Sequence, residues 1–208
     1  MALQEHGLPK ETLTALAEAT AAINTSLDLE TTLQAIAQNA AAVMQAEASS
    51  VLLLDVLRRK LVFKAATGEY GQQLIGEEFD AELGIAGKVA RTAKSLLVTD
   101  AHLEESFFSG IDDKFSFRTR GMAVAPMIKN GQVIGVVEVL NRIGQENFDE
   151  NDLSLLKVFA NLAASATMNA QTHERLKQAN RGFQATMHAG AEIIGQSAAL
   201  RHVLNLCA

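Results

Sequence analysis

This 208-residue chain carries one cysteine, Cys207, so it can form no internal disulfide, and its composition fits a reducing cytosol. It lacks any apolar run near the roughly 20 residues that cross a bilayer. Glu5 and His6 stand where the apolar stretch of a signal peptide would begin. No membrane contact is expected. Positive charge is scarce: 18 Lys and Arg against 24 Asp and Glu, a net charge of -6. Such a chain repels phosphate backbones, so direct nucleic-acid binding is not expected. The five histidines, His6, His102, His173, His188 and His202, form no i,i+4 pair and no spacing with a cysteine, so no metal is expected. No serine or cysteine sits in a glycine elbow, and no GxxxxGK[ST] phosphate loop occurs. A cytoplasmic protein without catalysis of its own is the reading these absences leave. With 48% hydrophobic residues, the chain has enough for one good-sized core plus helical appendages.

The patterning puts helices at both ends and strands between them. Leu13, Leu16, Thr20, Ile23 and Leu27 repeat at spacings of three and four, one apolar stripe of a helix. Asp28 reads as the N-cap of a second helix carrying Leu33, Ile36, Ala40 and Val43 on one face. Ser49 to Asp55 and Leu61 to Thr67 form a hairpin around Arg58-Arg59-Lys60. Met122 to Lys129 and Gln132 to Leu140 form a second, because Asn130-Gly131 supplies the two positive φ angles of a type I′ turn. Pro126 cannot donate to a ladder, so a bulge or unpaired position is expected there. Residues 68–121 make a long connection with a short strand near Leu96 to Thr99, and a stretch of that length points to a function such as covering a ligand. A last helix starts after Phe148, capped by Asp149. Leu155, Phe159, Leu162, Ala166, Asn169, His173, Leu176, Asn180, Phe183 and Met187 follow heptad spacing along it. It is expected to pack on its own sheet to about Met168, to serve dimerisation beyond, and to end at Gly190.

The order helix, helix, hairpin, covering segment, hairpin, helix resembles the GAF fold. Gly84-Ile85-Ala86-Gly87-Lys88-Val89-Ala90 is similar to that family's GIAG-x-VA segment, and Asp100 follows the short strand as it does there. Phe107-Phe108-Ser109-Gly110-Ile111-Asp112-Asp113, Phe117-Arg118-Thr119-Arg120 and Gly135 to Arg142 resemble GAF domains of cyclic-nucleotide phosphodiesterases. The resemblance spans about residues 10–170. It implies an α+β fold: an antiparallel sheet of five or six strands, helices on one face and a ligand-covering segment on the other, flanked by long dimerising helices.

The resemblance also implies ligand contacts at Ser50, Ala86, Gly87, Phe108, Asp112, Phe115, Thr119 and Glu138. Phe108 would stack on a purine, and the start of the Gly84 helix would face an anion. Ala66 stands where an aromatic is common, Thr67 where an acidic residue is common, and Phe115 where a small hydroxyl residue is common. The implied ligand is therefore a small molecule, with a cyclic nucleotide one candidate. Asn141, Arg142, Phe148 and Asp152 resemble the family's pocket-bracing set, with Arg142 in place of lysine and Leu153 at its last acidic position. Bilin attachment would need a cysteine in the covering segment, and haem would need His102.

Ile193-Ile194-Gly195-Gln196-Ser197-Ala198-Ala199-Leu200-Arg201 resembles the opening of the AAA+ ATPase in sigma-54-dependent activators of the NtrC class. The implied layout is a tail at 1–9, a GAF domain at 10–170, a linker helix at 171–190 and the start of an AAA+ domain at 191–208. The implied partners are a second copy of the chain, a small-molecule effector, the AAA+ and DNA-binding domains of a longer protein, and sigma-54 RNA polymerase through them. That longer protein would hydrolyse ATP; this chain, lacking the phosphate loop, would not. The alternative is a structural dimerisation module whose pocket is filled by Phe108, Phe115 and Met122.

Overall fold

Asp28 sets the start of the first described helix, α1 (Leu29–Val43), where its carboxylate accepts from the Thr31 amide. The structure, a computed structural model, describes residues 28–144 and 147–189 together with Thr14, Ala17, Thr20 and Ala21. The stripe at Leu13, Leu16, Ile23 and Leu27 lies outside the described residues. So do the side chains of Asn180, Phe183 and Met187, Gly190, the segment at 193–201, and the tail.

Six strands form one antiparallel sheet in the order β3-β2-β1-β6-β5-β4. They are β1 (Ala46–Asp55), β2 (Lys60–Ala66), β3 (Glu78–Asp80), β4 (Leu96–Val98), β5 (Met122–Lys129) and β6 (Gln132–Arg142). Between β2 and β5 run α2 (Gly71–Leu74), α3 (Gly84–Thr92), a 3-10 turn at Ala101–Leu103, and α4 (Gly110–Phe115). The last helix is α5 (Glu150–Ala189), begun by the Asp149 carboxylate, which accepts from the amides of Asn151 and Asp152. The β5–β6 turn has φ +50° at Asn130 and +76° at Gly131, as the Asn-Gly pair requires.

Period-two alternation along β1 divides its side chains between two cores. Val51 joins Leu33, Ile36, Ala40, Phe148, Leu156 and Phe159 on the face covered by α1 and α5. Leu52 joins Leu61, Phe63, Ile85, Val89 and Val136 on the opposite face, under α3. Each fully buried Leu, Ile or Phe contributes roughly 1.5–3 kcal/mol.

Two sequence expectations need correcting. Pro126 is paired in register with Val136, and the bulge falls one residue later, between Met127 and Ile128. β4 pairs only with Met122 to Val124, so β5 is an edge at Pro126 and tolerates a missing donor. In α5, Phe159 and Ala166 of the expected set are buried but Leu155 and Leu162 only partly; the buried stripe also takes Leu153, Leu156, Ala160, Ala163, Ala164 and Thr167. The helix meets the sheet on a face rotated from the heptad seam, because a sheet accepts a broader apolar stripe than a coiled coil.

The chain divides into two units, residues 1–170 and 171–208. In the second, every side chain from Gln171 to Ala179 is exposed, Leu176 by 64%.

Candidate functional site

The site begins with two residues paired across the centre of the sheet, Ser50 on β1 and Glu138 on β6. Both point away from α1 and α5, and both are buried, at 3% and 6% exposure. Above them lies the covering segment, formed by the first turn of α3, Phe107-Phe108 and α4. Two cavities remain beneath it, of about 50 Å³ and about 70 Å³. They share Phe63, Ile111, Asp112, Glu138 and Leu140 as walls. The first extends toward Ser50, Thr67, Glu69, Tyr70, Phe115 and Phe117. The second extends toward Phe79, Gly84, Ile85, Ala86, Phe108 and Thr119. Each volume suits water or one small chemical group, well below the ~300 Å³ of an ordinary ligand pocket.

Burial pushes the Glu138 carboxyl up to about 7; the Ser50 hydrogen bond works against that shift, and the Asp112 charge adds to it. Asp112 is held in place by Thr119, whose amide donates to Oδ2 at 2.8 Å and whose hydroxyl donates to Oδ1 at 2.9 Å. Lys114 on the same short helix is bonded to Glu77 at 2.6 Å. These two ties hold α4 down.

The expected contacts divide. Ser50, Ala86, Phe108, Asp112, Phe115, Thr119 and Glu138 all line one cavity or both. Gly87 does not. A Cβ on it would lie 2.6 Å from the Ala81 carbonyl, so this glycine permits close packing of α3 on the chain before it. Gly84 and Ile85 take the place assigned to it. Phe108 is 36% exposed and stacks on Phe79, with ring centroids 6.1 Å apart. Phe115 stacks on Tyr70 at 6.1 Å. Phe108, Phe115 and Met122 line the two small cavities.

Ala66 is buried, and its backbone is bonded to the Gln34 side chain. Thr67 lines the first cavity while its hydroxyl accepts from the Ser49 amide at 2.9 Å. The aromatic surface missing at Ala66 is supplied to that cavity by Tyr70 and Phe115. Sequence reasoning passed over Tyr70, although a single tyrosine just after a strand was a visible signal. It also missed Phe63, Ile111 and Leu140, apolar residues that look like ordinary core.

Asn141, Arg142, Phe148 and Asp152 line neither cavity. Arg142 pairs with Asp152, and Phe148 is buried in the core on the helix side. Asn141 adopts φ +54° and bridges three partners. It accepts from the Arg120 amide at 2.7 Å and donates to the Arg118 carbonyl and to Glu47, each at 2.9 Å. Glu47, also unforeseen, pairs with Arg120 at 2.7 Å, and that contact holds its carboxyl below the usual range. The group fastens the chain segment that leaves α4. Among the described residues no cluster of His, Cys, Asp and Glu could hold a metal ion, and no helix is long and apolar enough to cross a membrane.

A six-stranded antiparallel sheet with helices on one face and a lid over small cavities on the other defines an α+β domain. The sequence model of the GAF domain family matches residues 28–167, and the chain belongs to that family. It is 25% identical over 153 residues to the probable 3′,5′-cyclic phosphodiesterase pde-5 of Caenorhabditis elegans, covering 69% of this chain and 21% of that protein. It is 26% identical over 192 residues to the dual 3′,5′-cyclic-AMP and -GMP phosphodiesterase 11 of Drosophila melanogaster, covering 86% of this chain and 13% of that protein. The chain thus spans about a fifth or less of these relatives' length. Among solved structures, it is similar to the GAF domain of a phosphoenolpyruvate-protein phosphotransferase from Coxiella burnetii. The TM-score is 0.71 at 18% identity, covering 79% of this chain and 97% of that one. A methyl-accepting chemotaxis protein gives 0.66 at 24% identity, covering 74% and 97%. At these identities the structures speak for the fold alone.

Proposed function

We propose that this chain is a non-catalytic sensory domain that binds a small molecule between the sheet and α4. The observation that carries the reading is Glu138, a carboxyl buried at the sheet centre and facing two cavities that a short tied-down helix covers. A buried carboxyl costs stability unless a donor meets it, and Ser50 alone does so only in part. Ligand supplying that donor would favour one arrangement of α4 over another. A cyclic nucleotide is the candidate that the relatives' names support. Its base donors would meet Glu138 and its phosphate the first turn of α3.

In the longer protein that the segment at 193–201 supports, the domain would regulate an AAA+ ATPase of a sigma-54-dependent activator in the cytoplasm. Two copies would pair through the terminal helices. The exposed run from Gln171 to Ala179 favours pairing, since an isolated helix gains little stability in water. The rival is a dimerisation module without ligand. The small cavities favour it, and the cost of burying Glu138 counts against it.

Mass spectrometry under native conditions, with melting curves in cyclic GMP and cyclic AMP, tests the reading. A bound ligand must raise the melting temperature by mass action. The double variant Glu138→Gln with Thr119→Val should remain folded and lose that rise. Retention of the rise would show that the ligand binds elsewhere.

A further inference from the structure

The chemistry of the first cavity is one-sided. Glu138 and Asp112 are in its wall, and Glu69 stands exposed beside them. Aromatic rings come from Tyr70, Phe115 and Phe117. No lysine, arginine or histidine is among its lining residues. Among the described residues Ser50 is the one side-chain donor to Glu138. A carboxylate has about four acceptor positions, so capacity remains toward the cavity. An anionic group placed here would meet Asp112 and Glu69, and Glu138 as well once that carboxyl is ionised. Carboxylates beside ring faces suit an organic cation, because the ring quadrupole is negative on its face. The Lys114 ammonium, paired with Glu77, lies 5.5 Å from the Phe115 centroid. The second cavity shares the Asp112 and Glu138 walls and adds Thr119, but Phe79, Phe107, Phe108 and Met122 make the side away from the carboxylates apolar.

Resting on the sensory reading, but setting a cation in place of the cyclic nucleotide as its ligand, we propose that the site recognises a protonated amine. The ammonium lies between Glu138 and Asp112, and an apolar body of the same ligand lies in the adjoining phenylalanine-lined cavity. Seating such a ligand requires α4 to lift; its ties through Asp112 and Lys114 are hydrogen bonds that can reform over the bound molecule.

The test uses three probes of one shape and different heads: phenethylamine, 2-phenylethanol and 3-phenylpropanoate. Calorimetry at pH 8, where Glu138 is ionised, should give phenethylamine an affinity at least tenfold above the alcohol and no binding of the carboxylate. Glu138→Gln should weaken the amine tenfold or more and leave the alcohol unchanged. Tyr70→Leu should weaken the amine several-fold. A melting curve without ligand checks that each variant is folded. Equal binding of amine and carboxylate, an amine affinity unchanged in Glu138→Gln, or no amine binding at all would overturn the proposal. Stabilisation by cyclic GMP without any amine binding would remove the cation and keep the sensory domain. If neither these probes nor cyclic nucleotides bind, and native mass spectrometry finds no retained molecule, both readings fall.

Discussion

Asp112 and Thr119 are joined by two hydrogen bonds, one from backbone and one from side chain, at 2.8 Å and 2.9 Å. The first residue stands on the covering helix α4, and the second lies, 1% exposed, just before β5. Asp112 is also a wall of both cavities. Thr119→Val should therefore loosen α4 without unfolding the sheet. Hydrogen exchange across residues 104–118 should rise several-fold, while global stability falls by only about 1 kcal/mol. An unchanged exchange pattern would show that α4 is held by packing instead.

Glu138 gives the domain a predictable pH response. Its folded value, about 7, lies above its ordinary value of 4.5. The neutral acid therefore favours the folded state. That contribution is fully present below pH 4.5 and is lost as pH rises through 7. The shift corresponds to about 3 kcal/mol. Glu138→Gln should match the native protein near pH 4.5 and exceed it at pH 8, as read from urea midpoints at both values. Equal pH profiles for the two proteins would contradict the assignment. The amine ligand should act in the opposite sense, restoring stability above pH 7.

Asn141 should prove structural. Removing its side chain leaves the Arg120 amide and Arg118 carbonyl without this partner, at a cost of roughly 2–3 kcal/mol. Asn141→Gly relieves the positive φ but loses the same bonds, so it should recover only part of that loss relative to Asn141→Ala. Denaturant unfolding of the pair separates backbone from hydrogen bonding. Full recovery in the glycine variant would show that the bonds contribute little.

Gly87→Ala should destabilise the protein by about 1–3 kcal/mol, because the new methyl meets the Ala81 carbonyl at 2.6 Å. The same change at Gly76, where a Cβ meets nothing within 4 Å but φ is +87°, should cost only about 1 kcal/mol. A Gly87 variant of normal stability with altered ligand binding would return that residue to the site.

The chemistry of short-range signals made much of this protein readable without coordinates. Asp28 and Asp149 act within their own helical turns, and Asn130-Gly131 closes its own hairpin, so each needed only its neighbours. The start of α3 and the Arg142 and Asp152 pair were instead implied by the family resemblance. The heptad seam was right at Phe159 and Ala166 but wrong at Leu155 and Leu162, which compete with an equally apolar stripe through Leu156 and Ala163. Only the surface met by the helix decides between them.

Amino-acid order alone determined the two hairpins, the helices that begin at Asp28 and Asp149, and the alternation that gives the sheet two faces; β3 and the short helices α2 and α4 were not legible, and Ser50, Asp112, Thr119 and Glu138 came from the family resemblance. Tertiary structure decided which of them meet. It placed Ser50 opposite Glu138, drew Tyr70 and Phe115 into one cavity wall, turned Gly87 toward Ala81, and set Phe148 on the far side of the sheet. Local chemistry acts over three or four residues, whereas strand register and lid position depend on contacts spanning up to about ninety, such as Glu47 with Asn141.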